Sequence, residues 1–261
     1  MGYEGWGSWL APAAALVIGC CLGSFYNVVI YRWPKGQSLV SPPSRCPGCG
    51  APIRWFDNIP VLSFLLLRGR CRHCRQAISW RYPLVELLTG LMAAGLYRTF
   101  GPTPPLFVFF TFGSLLLLIA FIDLDTYLIP DVLSLGGLVL GLAAAALFSH
   151  VRWVDALGGA LLGGVLFYGV AWGYQKLRRQ DGLGGGDIKL LAMIGAFIGW
   201  KGVLFTIFFS SVVGAAVGLI VMVRSRRGLA ARLPFGPFLS LGAISYVFWG
   251  EKLTAWYLGA L

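Results

Sequence analysis

The chain has 261 residues, 57% of them hydrophobic and only 12% charged. A water-soluble domain carries roughly 25% charged residues, so this chain cannot cover a water-facing surface and reads as a polytopic membrane protein. Its net charge of +11 does not point to nucleic acid, because the basic residues sit in short clusters between apolar runs, as juxtamembrane charges do.

A helix needs ~20 mostly apolar residues to cross the hydrocarbon core of a bilayer. The first such run covers residues 10–30. No basic segment precedes it, so a retained helix is expected and not a cleaved signal peptide. Cys20 and Cys21 inside it read as small buried hydrophobes.

Residues 31–82 are the only sizeable polar stretch. They are too few to bury a large core, so a staple is expected. The sequence supplies one: CPGC at 46–49 and CRHC at 71–74. Two CxxC pairs at this spacing read as a four-thiolate zinc site formed by Cys46, Cys49, Cys71 and Cys74. Such a closed set leaves no open position, so the metal is expected to be structural. Disulfides or a redox CxxC are the rival readings. Neighbouring Arg45, Arg70, Arg72 and Arg75 favour the thiolate form, and His73 is expected to stand by.

Further spans are expected at 83–99, 105–122, 127–148, 155–176, 187–200, 202–223 and 235–258, giving about eight in all, the sixth of them short. The fourth and fifth are rich in Gly and Ala, which allows close helix packing. Of the 21 Lys and Arg residues, all but Arg98, Arg152, Lys201 and Lys252 fall in or beside the segments 31–82, 123–126, 177–186 and 224–234. The positive-inside rule then puts those segments in the cytoplasm and both termini outside. Segment 31–82 would lie in a reducing compartment, which disfavours structural disulfides.

Only 10 residues are acidic, so their positions are informative. Asp123, Asp125 and Asp131 cluster in FIDLDTYLIPD, at the junction of the third and fourth spans. Asp181 and Asp187 flank the glycine run of GLGGGDIK (182–189), and Glu86 sits one turn into the second span in YPLVELLTG. A carboxylate at the edge of a span is a functional candidate by default. The topology puts Asp123 and Asp187 at one depth, near the cytoplasmic face. Two carboxylates brought close titrate as a pair, able to activate a water and to protonate a leaving amine. Simpler roles exist for the others. Asp125 and Asp131 suit solvated or capping positions, and Asp181 a solvated one beside Arg178 and Arg179. Asp187 itself suits a helix N-cap, and Lys189 suits offsetting negative charge or reaching lipid phosphates. GxxxxGK[ST] and a preceding strand are both missing, which weakens a phosphate-cradle reading of the glycine run. A proton-coupled carrier is a rival use of the acids, but carrier sites lie near the midplane and often in repeats.

The blocks GSFYNVVIYRWP (23–34), SRCPGCG, IRWFDNIPVLSFLLLRGRCRHC, ISWRYPLVELLTG, IDLDTYLIPD, GGGDIK and LPFGPFLSLGA (233–243) occur in that order. Together they resemble the bacterial prepilin peptidases (type IV leader peptidases) of the GxGD membrane aspartyl protease class, over nearly the whole chain. The resemblance implies an enzyme of the bacterial inner membrane. It would cleave the basic leader of prepilins and pseudopilins at the cytoplasmic face and N-methylate the new N-terminus with S-adenosylmethionine. It implies Asp123 and Asp187 as the catalytic pair and the four loop cysteines as zinc ligands. Gly23, Asn27, Arg32, Asp57, Asn58 and Glu86 are the candidates for the methyl-transfer site, with packing and loop structure as their simpler roles. A peptidase without the methyltransferase is the narrower alternative. The fold expected is an all-α polytopic membrane protein: a first helix (1–30), a zinc-stapled cytoplasmic loop domain (31–82) and a membrane-embedded peptidase domain (83–261).

Overall fold

The computed structural model describes residues 7–178, 184–225 and 233–259. The expected setting of Asp181 beside Arg178 and Arg179 lies outside the described residues, as do Gly182 and Leu183 of the glycine run. The helices are α1 (Gly7–Arg32), α2 (Leu62–Leu66), α3 (Arg81–Phe100), α4 (Pro104–Thr126), α5 (Asp131–Phe148), α6 (Trp153–Arg178), α7 (Gly185–Ser225) and α8 (Gly236–Gly259). Among the described residues the only extended pairing is two isolated antiparallel bridges. The all-α reading therefore holds. Five helices, α1 and α4 to α7, are long and apolar enough to cross a membrane.

The chain divides into two compact units, the first ending at Pro102 and the second beginning at Thr103. In the first, α1 and α3 pack along each other. Small residues let their backbones approach. A Cβ on Gly19 would meet Thr89 O at 2.7 Å and the Gly90 Cα at 2.8 Å, and one on Gly90 would meet Leu16 O at 2.8 Å. Gly19→Leu is therefore expected to destabilise this pair by ~1–3 kcal/mol, the range for overpacking a tight contact. A fall in the thermal midpoint of the detergent-solubilised protein would show it, and an unchanged midpoint would mean a looser seam. Cys20 is buried in this seam, whereas Cys21 is exposed and departs from the expected burial.

In the second unit α7 is central and packs against α5, α6 and α8. Its first half is buried on all sides through Leu190, Leu191, Met193, Ile194, Ala196 and Phe197. A helix apolar all round sits inside the bundle. Phe112 of α4 stacks on Phe197 at 4.6 Å between ring centroids. The two expected spans 187–200 and 202–223 form one continuous element broken at Gly199, whose φ 70°, ψ 179° backbone only glycine adopts easily. At ~1.5 Å per residue an unbroken helix of this length would be about twice the hydrocarbon thickness.

The fourth span starts later than expected. Tyr127 turns left-handed at φ 55° and ends α4, and Pro130 then precedes α5, which opens at Asp131. Residues 123–126, expected as a loop, are the last turn of α4.

Candidate functional site

The loop of the first unit holds two knuckles built alike. Arg45 bridges to Pro52 around the first cysteine pair, and Arg70 bridges to Ala77 around the second. Cys46 N–H donates to Ala51 O and Gly50 N–H to Cys46 O; Cys71 N–H donates to Gln76 O and Arg75 N–H to Cys71 O, each near 3 Å. Gly50 and Arg75 are equivalent positions, both at positive φ (69° and 62°). The four sulfurs lie within 4.8 Å of one another, and Cys46 Sγ is 3.7 Å from Cys74 Sγ. A tetrahedral ion with Zn–S of ~2.3 Å sets its sulfurs ~3.8 Å apart, so the donor set fits a four-thiolate metal centre. All four are unbonded thiols, against the disulfide reading. The N–H groups of Cys49 and Gly48 lower the Cys46 thiol to about 6, while desolvation and the neighbouring sulfurs push Cys74 up to about 11, so the four thiols do not ionise alike without a cation between them. Phe64 is the one large apolar side chain buried between residues 36 and 80, among those described. This loop cannot rest on a hydrophobic core.

The six candidates for methyl transfer are each engaged in the first unit's own structure. Gly23 lies in the α1–α3 seam, where a Cβ would meet Glu86 Cα at 2.7 Å. Asn27 Nδ2 donates to Tyr82 O at 3.0 Å. Arg32 donates to Ser38 O at 2.9 Å and to Pro42 O at 2.7 Å, tying the loop to the end of α1. Asp57 accepts from Arg72 Nη2 at 2.6 Å and from its Nε at 3.0 Å, which joins the second knuckle to the turn Trp55–Asp57. That hydrogen-bonded guanidinium holds the Asp57 carboxyl below the usual carboxylate range. Asn58 ends the same turn, its N–H donating to Trp55 O at 3.1 Å. Buried Glu86 accepts from Val61 N–H at 2.7 Å.

The second unit brings the acids together. Asp123 in the last turn of α4 is 5% exposed. Its Oδ2 accepts from the N–H of Gly236, the first residue of α8, at 3.0 Å. A helix N-terminus carries unpaired amides and a partial positive charge, so it holds a carboxylate in place. Asp187 lies in the first turn of α7, and its N–H donates to Gly184 O at 3.0 Å. The Asp123 carboxylate is within electrostatic reach of it. Ile129 sits against both neighbouring glycines. A Cβ on Gly186 would meet its side chain at 2.8 Å and one on Gly236 at 3.4 Å, while one on Gly236 would also strike Asp123 Oδ2 at 2.6 Å. The glycines thus permit segments to close around the acids.

Lys189 donates to Asp131 Oδ1 at 2.6 Å and ties the start of α7 to the start of α5. This contact forms one of its two expected roles, offsetting nearby negative charge. Asp125 is exposed. Sequence reasoning missed Gly236 as a donor. Its signal was the segment LPFGPF, where Pro234 precedes a helix and Pro237 sits in its first turn, on either side of Gly236.

Residues 17–100 match the model of the bacterial peptidase A24 N-terminal domain, and residues 110–219 match that of the type IV leader peptidase family. A prepilin leader peptidase/N-methyltransferase of Burkholderia pseudomallei (strain 1026b) is 38% identical over 271 residues, covering 94% of this chain and 87% of the relative. The protein of that name from Aeromonas salmonicida (strain A449) is 35% identical over 278 residues, covering 97% and 96%. The one from Myxococcus xanthus (strain DK1622) is 44% identical over 211 residues, covering 81% and 63%. No solved structure matches.

Proposed function

This chain belongs to the type IV leader peptidase family, and on that premise we propose that it cleaves the leader of type IV prepilins and pseudopilins and N-methylates the new N-terminal residue. What supports the peptidase half is that Asp123, held by the α8 amide at one helix end, lies within electrostatic reach of Asp187 in the first turn of another. One carboxylate takes a proton from a water that attacks the scissile carbonyl. The other, protonated, gives its proton to the departing amine as the C–N bond breaks. Neither acid is consumed, because the pair ends with one proton as it began.

The enzyme is a multi-pass protein of the bacterial inner membrane. The placement of Lys and Arg supports a cytoplasmic loop and dyad, with both termini outside. Its substrate is itself a membrane helix with a basic leader, so a scissile bond arrives at the depth of the acids. Peptidase chemistry belongs to the unit that begins at Thr103, and the metal centre to the unit before it. Zinc is the ion best suited to Cys46, Cys49, Cys71 and Cys74, where it staples the loop.

S-adenosylmethionine is the methyl donor that an N-methyltransferase of this kind uses. Gly23, Asn27, Arg32, Asp57, Asn58 and Glu86 are the residues we propose around its site. Their contacts make them positioning groups: Glu86 and Asn27 hold the α3 end of the loop, and Asp57 the knuckle end. No bond-making step is assigned to any of them.

Purified protein in liposomes, given a model prepilin and methyl-labelled S-adenosylmethionine, is expected to release the leader and label the new N-terminus. Absence of cleavage would overturn the peptidase reading. Cleavage with no transfer of label would remove the methyltransferase half alone.

A further inference from the structure

The loop of the first unit carries an apolar surface that the proposed chemistry does not use. It is the helix α2 with Trp80 beside it. Leu62, Leu65 and Leu66 of α2 are exposed, Leu66 at 73%, and Trp80 is exposed at 74%. A groove lies behind them, lined by Phe64, Leu65, Arg68, Arg70, Ile78 and Trp80. Arg68 and Arg70 are exposed, and neither pairs with an acid among the described residues.

The position of α2 along α3 says what faces this surface. Val61, which leads into α2, donates to Glu86, the sixth residue of α3. At ~1.5 Å per residue this contact lies roughly 8 Å into α3 from Arg81. The flank of α3 is already exposed and apolar at that level, through Leu84, Leu87 and Leu88. Helix α1, long and apolar enough to span, runs beside it, with Gly23 against Glu86 and Asn27 bonded to Tyr82. With α1 crossing a bilayer, this exposed flank would set lipid at the level where α2 is pinned. Five residues cannot cross a bilayer, but leucines and a tryptophan suit the boundary between headgroups and acyl chains. The arginines at the end of α2 are matched in charge by lipid phosphates. A basic leader peptide is not so matched, since it would meet like charge.

We propose that α2, Trp80, Arg68 and Arg70 form a docking site for anionic glycerophospholipid, which holds the loop against the membrane surface. The apolar side chains enter the headgroup boundary, and the two guanidinium groups bind the phosphodiester from above.

The full-length protein in nanodiscs tests this with acyl-brominated lipids, which quench nearby tryptophan. The contribution of Trp80 is isolated as the difference between wild type and Trp80→Phe. It is expected to be quenched about twofold more by brominated phosphatidylglycerol than by brominated phosphatidylcholine at equal mole fraction. Arg68→Gln, which leaves the knuckle arginines in place, is expected to reduce that preference by about half while metal content and leader cleavage in detergent stay as in wild type, which shows the variant is folded. Equal quenching by both lipids in the wild type would overturn the site as an anionic one. Quenching by neither would overturn the membrane contact itself, and shielding of Trp80 on adding prepilin would then give the surface to the substrate.

Discussion

Asp123→Asn and Asp187→Asn are each expected to lower leader cleavage by about a thousandfold or more, within the range for loss of a positioned acid or base. Asn keeps the size of Asp and can still accept from Gly236 N–H, so folding and substrate binding should persist. The double variant should be no worse than either single one, because the two acids act as a unit. Cleavage should follow a bell-shaped pH profile, since the working pair needs one proton and loses function with two or none. Gly236→Ala offers an independent check on geometry. Its Cβ would fall 2.6 Å from Asp123 Oδ2, so the carboxylate must move. A displacement of about 1 Å costs on the order of a hundredfold in a positioned site. Full cleavage by either Asp variant would remove that residue from the catalytic pair.

Replacing one metal ligand should have the second large effect. The purified protein is expected to hold about one zinc per chain, and Cys46→Ser to hold almost none. Binding of structural zinc is worth ~10–16 kcal/mol, as much as the whole stability of many domains. With Phe64 as its one large buried apolar side chain among those described, the loop has little else to keep it folded. Residues 36–80 should then become open to protease and to hydrogen exchange, and the Arg72–Asp57 link between knuckle and turn should be lost with them. Wild-type protein that is free of metal and still resists protease in this segment would overturn the staple.

Most of the architecture was legible in the chain because it rests on local pattern. A span is recognised by an apolar run, a metal knuckle by cysteines at fixed spacing, and a candidate acid by its scarcity among 261 residues. Each of these properties belongs to a window of neighbouring residues. The break at Gly199 was nearly legible too, because the apolar pattern paused there.

Contacts between distant segments carry no such local mark. Gly236 reaches Asp123 from 113 residues away, and nothing near either residue announces the bond. Lys189 finds Asp131 only because α5 and α7 start side by side. Glu86 looked like a group waiting for a ligand; the fold gives it the amide of Val61, and in doing so sets the depth of α2. Composition, spacing and charge placement thus pointed to a multi-pass membrane protein with a cysteine-stapled loop and a few candidate acids, since these are properties of the covalent chain. The partners that orient those side chains came from tertiary packing alone, because burial makes every polar group find whichever donor or acceptor the fold brings near it.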